Sequence, residues 1–205
     1  MKLRQGISMA FALACVFGLV AMLAALTPVF AADKGGPNFL EIPGATPKSP
    51  WTGLGIGAYG SMLDADVSIS PFTFGSDGNE AGVSLSYDIA MGAFLIGAGF
   101  EYGRVFGDLN TIGVDGAMAL YGRAGVFASA STLIYLRAGR SRLDTTAGDL
   151  DGWQWGPGVE VKMPTAPLFL RLEHLMSTYN LSDIGGPAID ADMGVTRFGV
   201  TYKLN

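Results

Sequence analysis

The sequence contains very little of several residue types on which common protein chemistries depend. Its 205 residues include one cysteine and one histidine, and only 15% are charged. A single cysteine cannot form an intramolecular disulfide, and a single histidine excludes a histidine-rich metal site. With 13 Lys+Arg against 18 Asp+Glu, the chain offers no basic surface to nucleic acid. The hydrophobic content of 49% also excludes a disordered chain.

Residues 1–31 have the features of an export signal. Two basic residues precede an apolar run from Ile7 to Leu26, and Val29–Ala31 resembles a small-residue cleavage site. A transmembrane anchor is the alternative, because the apolar run approaches the ~20 residues of a membrane span. The break at Pro28 favours a cleaved signal peptide. Residues 32–50, rich in Pro and Gly, are predicted to form a flexible lead-in.

From Trp51 to residue 205 the hydrophobic pattern has a period of two, which indicates β-strands. Apolar residues alternate with glycine or polar residues in eight stretches, near residues 53–59, 83–89, 94–103, 118–126, 134–139, 154–163, 168–173 and 197–204. The connections alternate between short ones, near 90–93, 129–132 and 164–167, and longer ones such as 64–80 and 180–193. This layout is typical of a membrane barrel. We therefore predict an all-β fold, an eight-stranded antiparallel up-and-down transmembrane β-barrel.

The composition of the two strand faces favours a membrane barrel over a secreted, lipocalin-like one. Glycines crowd the polar face, where they leave room inside a narrow barrel for large side chains but give water little to contact. The apolar face carries aromatic residues near strand ends, as interfacial girdles would: Trp51, Tyr102, Trp153, Trp155 and Tyr202. Pro157 lies within the sixth strand and cannot donate to a ladder, so we expect a bulge or local break there.

Residues 51–205 resemble a known family in their first residues, their eight strands and their last residues. The opening Trp51-Thr52-Gly53, the glycines that follow it and the eight strands look like the small OmpA-like, opacity-type outer-membrane barrels of Gram-negative bacteria. The final RFGVTYKL stretch is similar to the signal by which the barrel-assembly machinery recognises such proteins, on Arg197, Gly199, Tyr202 and Leu204. Many relatives end on Phe, whereas Asn205 ends this chain. The resemblance implies a bacterial outer-membrane location, with the lead-in and the C-terminus in the periplasm.

Charged residues on the polar parity of the strands are expected to face the lumen. They are Asp88, Glu101, Arg123, Arg137, Glu160, Lys162, Arg171, Glu173, Arg197 and Lys203. Such charges could select ions along a pore. They could instead pair in a filled interior, since an unpaired buried charge is costly. The near balance of signs favours the network of ion pairs.

Most acidic residues fall in the long connections. They are Asp64, Asp66, Asp77, Glu80, Asp108, Asp115, Asp144, Asp149, Asp151, Asp183, Asp190 and Asp192. Weak divalent-cation binding that bridges to lipopolysaccharide phosphates is one hypothesis. Ordinary solvated loop surface is the favoured interpretation, and we predict neither a metal site nor a cofactor. The Gly55–Gly60 stretch matches GxGxxG, but a dinucleotide site needs a helix after it, so packing is the better interpretation.

His174 is the one imidazole that a histidine-dependent reaction could use. The resemblance to outer-membrane lipid A deacylases is loose, because their His and Ser stand two residues apart on one face. Here Ser177 is three residues away, on the opposite face of a regular strand, and Met176 occupies the position of the nucleophile. We therefore predict that the protein is not an enzyme.

The sequence as a whole predicts a structural or surface-interactive protein. Membrane integrity, and adhesion or host contact through acidic extracellular loops, are the expected roles. The expected partners are outer-membrane lipid and lipopolysaccharide, the barrel-assembly machinery and a surface ligand bound by the loops. A narrow porin-like channel is the first alternative, and a lipid A-modifying enzyme that uses His174 is the second.

Overall fold

The computed structural model of the chain describes residues 49–69, 72–111, 113–180 and 190–204. The predicted signal peptide, nearly all of the lead-in and Asp183 lie outside these ranges. Within them, no helix has the length and apolar character needed to cross a lipid bilayer.

The described chain consists of eight long strands and one short helix. The strands are β1 (Gly53–Ile69), β2 (Phe72–Met91), β3 (Phe94–Gly107), β4 (Val114–Ser129), β5 (Thr132–Thr145), β6 (Gly148–Lys162), β7 (Leu168–Asn180) and β8 (Asp190–Leu204). The helix, α1 (Asp108–Thr111), lies between β3 and β4. The alternating pattern predicts each strand, because successive side chains point to opposite faces of a sheet.

The strands form a closed antiparallel barrel, as predicted. Each strand pairs with its sequence neighbours, and β8 pairs with β1 to close the sheet. We call the end that carries the β2–β3, β4–β5 and β6–β7 connections and both termini of the barrel the turn end, and the opposite end the loop end. At the turn end, Gly92 adopts a φ of 60°, which allows the two-residue turn between Met91 and Phe94.

The prediction of long connections at the loop end is wrong for two of the four hairpins. The β1–β2 ladder continues from Asp64↔Asp77 to Ile69↔Phe72, and the β5–β6 ladder continues to Thr145↔Gly148. In the first hairpin Val67 and Ile69 alternate with polar residues, as do Phe72 and Phe74, so the period of two does continue into a segment that we assigned to a connection. Backbone pairing extends both ladders through these segments.

Pro157 interrupts one of the two ladders of β6. Pairing with β7 holds at Trp155↔Met176 and again at Gly158↔Glu173, but no pair forms between them. The register is the same on both sides, so the predicted local break is present without a bulge. The ladder with β5 continues through Leu136↔Pro157. The lost pairing is the expected result of a residue without a backbone donor.

Candidate functional site

The lumen nearest the turn end contains a charge-neutral group of four side chains, which we call the turn-side cluster: Asp88, Arg123, Glu160 and Lys203. Arg123 donates two hydrogen bonds to Asp88, at 2.7 and 2.8 Å, and one to Glu160, at 2.6 Å. Lys203 Nζ lies 2.8 Å from Asp88 Oδ2 and 3.8 Å from Glu160 Oε1. All four side chains are buried, and each acid is paired with both bases.

A second charge-neutral group, the loop-side cluster, fills the middle of the lumen. It comprises Glu80, Glu101, Glu173, Arg137, Arg171 and Arg197. Glu101 is its hub, because it accepts hydrogen bonds from all three arginines, at 2.8 Å from Arg171 and 2.9 Å from Arg137. Arg137 also donates to Glu173 at 3.0 Å, and Arg197 to Glu80 at 3.1 Å. The cluster therefore links strands on opposite sides of the barrel.

Tyrosine side chains contact both the buried cations and the buried carboxylates. The Arg137 guanidinium lies 3.7 Å above the Tyr121 ring, and that of Arg197 lies 4.2 Å above the Tyr59 ring. Tyr59 donates to Glu80, and Tyr135 donates to Glu173, both at 2.7 Å. These contacts add cation–π attraction and satisfy carboxylate oxygens, so the buried charges are compensated by more than their ion pairs.

Apolar layers close the lumen at both ends of the charged region. At the loop end the layer contains Leu63, Ala65, Val105, Leu109, Leu143, Leu150, Leu175, Tyr179, Met193 and Val195. At the turn end it contains Trp51, Leu95, Leu133, Tyr135 and Phe169. A cavity of about 20 Å³ remains beside Glu80 and Glu101, roughly the space of one water molecule.

The predicted set of lumen charges needs two corrections: Lys162 does not belong to it, and Glu80 does. With both, each cluster has as many acids as bases. Lys162 forms no ion pair within the described chain. It lies at the last residue of β6, half-buried at the rim, past the layer where Glu160 meets Arg123. Glu80, which we assigned to a loop, is 4% exposed inside the lumen. Glu80 lies an even number of residues before Asp88 on β2, so both side chains point to the same face of the strand. Strand parity in the sequence therefore already indicated that Glu80 faces the lumen.

Trp51 is not part of an interfacial girdle, contrary to the prediction. It is 3% exposed and packs against Phe127 and Phe169, with ring centroids 5.1 and 4.8 Å away. Its indole donates to the Ala130 carbonyl at 3.2 Å, and its own carbonyl accepts a hydrogen bond from Lys203 at 2.8 Å. Because Trp51 precedes β1, strand parity does not apply to it. Trp153, Trp155, Tyr102 and Tyr202 do face outward.

The acidic residues at the loop end are partly paired. Arg142 on β5 donates to Asp151 at 2.8 Å and to Asp149 at 3.4 Å on β6. The hydrogen bond from Arg142 lowers the pKa of the Asp151 carboxyl, which lies beyond the apolar band of the wall. Among the described residues no three metal-binding side chains cluster.

An open cleft of about 340 Å³ lies where β3 and β4 separate around α1. Aromatic, cationic and acidic side chains line it, chiefly Tyr102, Phe106, Arg104, Asp115 and Asp144. The β3–β4 ladder ends at Arg104↔Gly116, and the strands part beyond that pair. The cleft is a concave feature at the loop end of the described wall.

His174 and Ser177 lie on opposite faces of β7. The imidazole points outward, and its Nδ1 is 3.1 Å from the Thr196 hydroxyl on β8. Ser177 points into the lumen, is 1% exposed, and accepts a hydrogen bond from Gln154 at 3.1 Å. The structure therefore does not bring this histidine and this serine together.

The residues of the predicted assembly signal share the end of β8 but not one face. Arg197 and Gly199 point inward, whereas Tyr202 and Leu204 are exposed on the outer wall. A Cβ at Gly199 would lie 3.2 Å from Arg171 Nε, so this glycine also leaves space for a lumen arginine. The glycines of the GxGxxG match lie within β1, and a Cβ at Gly57 would lie 2.7 Å from the Val200 carbonyl oxygen. Packing explains Gly55 and Gly57, whereas Gly60 is exposed and a Cβ there would meet no atom closer than 3.8 Å.

The chain matches no protein-family model and no curated protein sequence. Similar solved structures are outer-membrane β-barrels. Neisserial surface protein A is 15% identical over 75% of this chain and 98% of its own, with a TM-score of 0.50. Ail, the attachment invasion locus protein of Yersinia pestis, is 11% identical over 75% and 99%, with a TM-score of 0.41. At these identities the likeness shows the fold alone.

Proposed function

We propose that the protein is an outer-membrane barrel of the OmpA-like, opacity type, whose wall and loop end rather than its lumen carry its function. The single observation that carries this proposal is the filling of the lumen by two neutral ionic clusters between two apolar layers. A filled lumen makes the barrel a rigid structural element. Its exposed outer band of large apolar side chains suits lipid.

In this proposal the turn end faces the periplasm and the loop end faces the exterior. The signal peptide directs export, the barrel-assembly machinery inserts the chain through its C-terminal signal, and lipopolysaccharide surrounds the outer half of the wall. The rigid barrel then contributes to membrane integrity. The cleft at the loop end contributes to surface contact, because it presents aromatic and charged side chains to a ligand. The Neisserial structure is that of a surface protein by its name.

We expect the purified protein to give no channel current in a planar lipid bilayer. Ions cannot pass where apolar layers cover both ends of a lumen already crossed by side-chain pairs. Single-channel recording checks this, with an open porin as the positive control. An unboiled-versus-boiled gel shift establishes that the protein in the same sample is a closed barrel. Discrete current steps from a heat-modifiable sample would instead support the channel alternative.

We expect His174→Ala to leave the cell's lipid A unchanged. The hydroxyl that contacts the imidazole belongs to Thr196, and Ser177 is in the lumen, so the His–Ser arrangement of the deacylases is not assembled. Mass spectra of lipid A from cells expressing the wild type, His174→Ala or Thr196→Val test this. A lipid A species that the wild type produces and either variant lacks would contradict it.

A further inference from the structure

The open cleft beside α1 carries charges of both signs on the outward face of the wall. Arg104 on β3, Gly116 on β4 and Asp144 on β5 lie in one register row across three consecutive strands. Neighbouring strands are about 4.8 Å apart, so the Cα atoms of Arg104 and Asp144 are separated by roughly 10 Å. A cation and an anion therefore stand on either side of a residue that has no side chain.

The polar groups around Gly116 are not used by the protein itself. Within the described chain Arg104, Asp144 and the Tyr102 hydroxyl make no hydrogen bond, and the two charged groups form no ion pair. Asp144 also attracts Arg142, whose own hydrogen bonds go to two acids of β6. A guanidinium, a carboxylate and a hydroxyl therefore remain available to a ligand in the cleft.

Oxygen atoms converge over the glycine in the middle of the row. A Cβ added to Gly116 would lie 3.3 Å from Asp144 Oδ2, 4.0 Å from Tyr102 Oη and 3.2 Å from the Gly103 carbonyl oxygen. A larger residue at this position would occupy the space between them. Three oxygens, one of them charged, suit a primary ammonium group, which has three N–H donors and no acceptor. A quaternary ammonium has no N–H to offer them.

The balance of charge in the cleft selects a ligand that carries both signs. Asp115, which accepts a hydrogen bond from Asn110 at 3.1 Å, is a second acid in the cleft, so the acids outnumber Arg104 by one. A purely anionic ligand is repelled by this excess, and a simple cation is repelled by Arg104. A zwitterion places its cation at the acids and its anion at the guanidinium. An α-amino acid carries both charges on one carbon, too close together for groups on strands two apart.

We propose that the cleft binds a phosphoethanolamine diester, a net-neutral group whose phosphate and primary ammonium are separated by two carbons. This inference deepens the proposed function and rests on it, because it names the ligand class of the cleft at the surface. Arg104 matches the phosphate through paired N–H donors. Asp144, Tyr102 and the Gly103 carbonyl accept hydrogen bonds from the ammonium. The rings of Tyr102 and Phe106, 41% and 51% exposed, give the carbon atoms an apolar surface.

The test is calorimetric titration of the full mature protein, in micelles of a neutral detergent, with glycerophosphoethanolamine. Ethanolamine and dimethyl phosphate each carry one of its two charges, and we expect both to bind about tenfold more weakly, through the loss of one charge-assisted contact. Glycerophosphocholine keeps the phosphate and the positive charge without an ammonium N–H. We expect it also to bind about tenfold more weakly.

Two variants separate the two halves of the site. We expect Arg104→Gln to weaken glycerophosphoethanolamine binding about tenfold and to strengthen ethanolamine binding, because the repelling cation is gone. Asp144→Asn is expected to weaken the binding of both probes about tenfold. Asp77→Asn makes the same change at an exposed position of β2, outside the cleft, and is the matched control. It should bind both probes as the wild type does.

Competition by lipids identifies the source of the group. Displacement of the bound glycerophosphoethanolamine by phosphatidylethanolamine, but not by phosphatidylglycerol, supports the site and assigns it to a lipid headgroup. Displacement by neither lipid supports the site and assigns it to a group outside the bilayer. Equal displacement by both lipids would overturn the proposal, because phosphatidylglycerol has no ammonium.

Three other results would also overturn the proposal. They are no detectable binding of glycerophosphoethanolamine, equal binding of glycerophosphocholine, and unchanged affinity of either cleft variant. The heat-dependent gel shift verifies that each variant is a closed barrel. Outer-membrane fractionation separates this inference from the proposed function. An enriched, heat-modifiable barrel that ignores the probe contradicts the ligand alone, whereas a chain absent from the outer membrane contradicts both.

Discussion

Replacement of Glu101 by glutamine is expected to lower the free energy of unfolding by about 3–5 kcal/mol, because it breaks a buried ionic network at its hub. The substitution keeps the shape of the side chain but removes the charge that faces Arg137, Arg171 and Arg197. The loop-side cluster would then hold three cations against two carboxylates. Little water can enter to compensate, since the adjacent cavity has space for about one molecule.

Urea unfolding of the barrel in lipid vesicles measures this effect, with tryptophan fluorescence and the gel shift as independent probes. Arg142→Gln removes an ion pair of comparable geometry on the exposed surface, and we expect it to leave the unfolding midpoint unchanged. Glu101→Asp, which retains the charge on a shorter side chain, should fall between the wild type and Glu101→Gln. A midpoint for Glu101→Gln equal to that of the Arg142 variant would show that the network does not stabilise the barrel.

The sequence predicts the face of a charged residue better than its height in the lumen. Strand parity alone places Arg123 and Arg137 inside, since inward and outward positions alternate without exception along a regular strand. Parity does not distinguish Lys162, at the rim, from Glu160, two residues earlier in the turn-side cluster. Height depends on register and on where the apolar layers end. These are properties of neighbouring strands and not of the strand itself.

Contacts across the lumen are also invisible in the sequence. Glu101 on β3 meets Arg197 on β8 only because the sheet closes. The position of Trp51 follows from the chain path before β1, where no periodicity applies.

Gly156→Ala is expected to destabilise the barrel by about 3 kcal/mol, because an added methyl group would overlap the neighbouring backbone. A Cβ at this position would lie 2.0 Å from the His174 carbonyl oxygen and 2.8 Å from Leu175 Cα. A rotamer change cannot relieve either contact, since both atoms belong to the backbone of β7. The clash falls where the β6–β7 ladder is already interrupted beside Pro157, so the two strands must separate further.

Refolding yield, measured as the fraction of heat-modifiable protein, and the urea midpoint together test this effect. Gly122→Ala is the matched control, because it makes the same chemical change on β4 with its nearest atom, the Gly97 carbonyl oxygen, 3.9 Å away. We expect that variant to refold as the wild type does, since alanine costs less backbone entropy than glycine. If both variants refolded equally well, the close approach of β6 to β7 at Gly156 would not constrain closure. That result would mean that the gap beside Pro157 has room for a methyl group. The short distance from an added Cβ to the His174 carbonyl oxygen predicts that it has none.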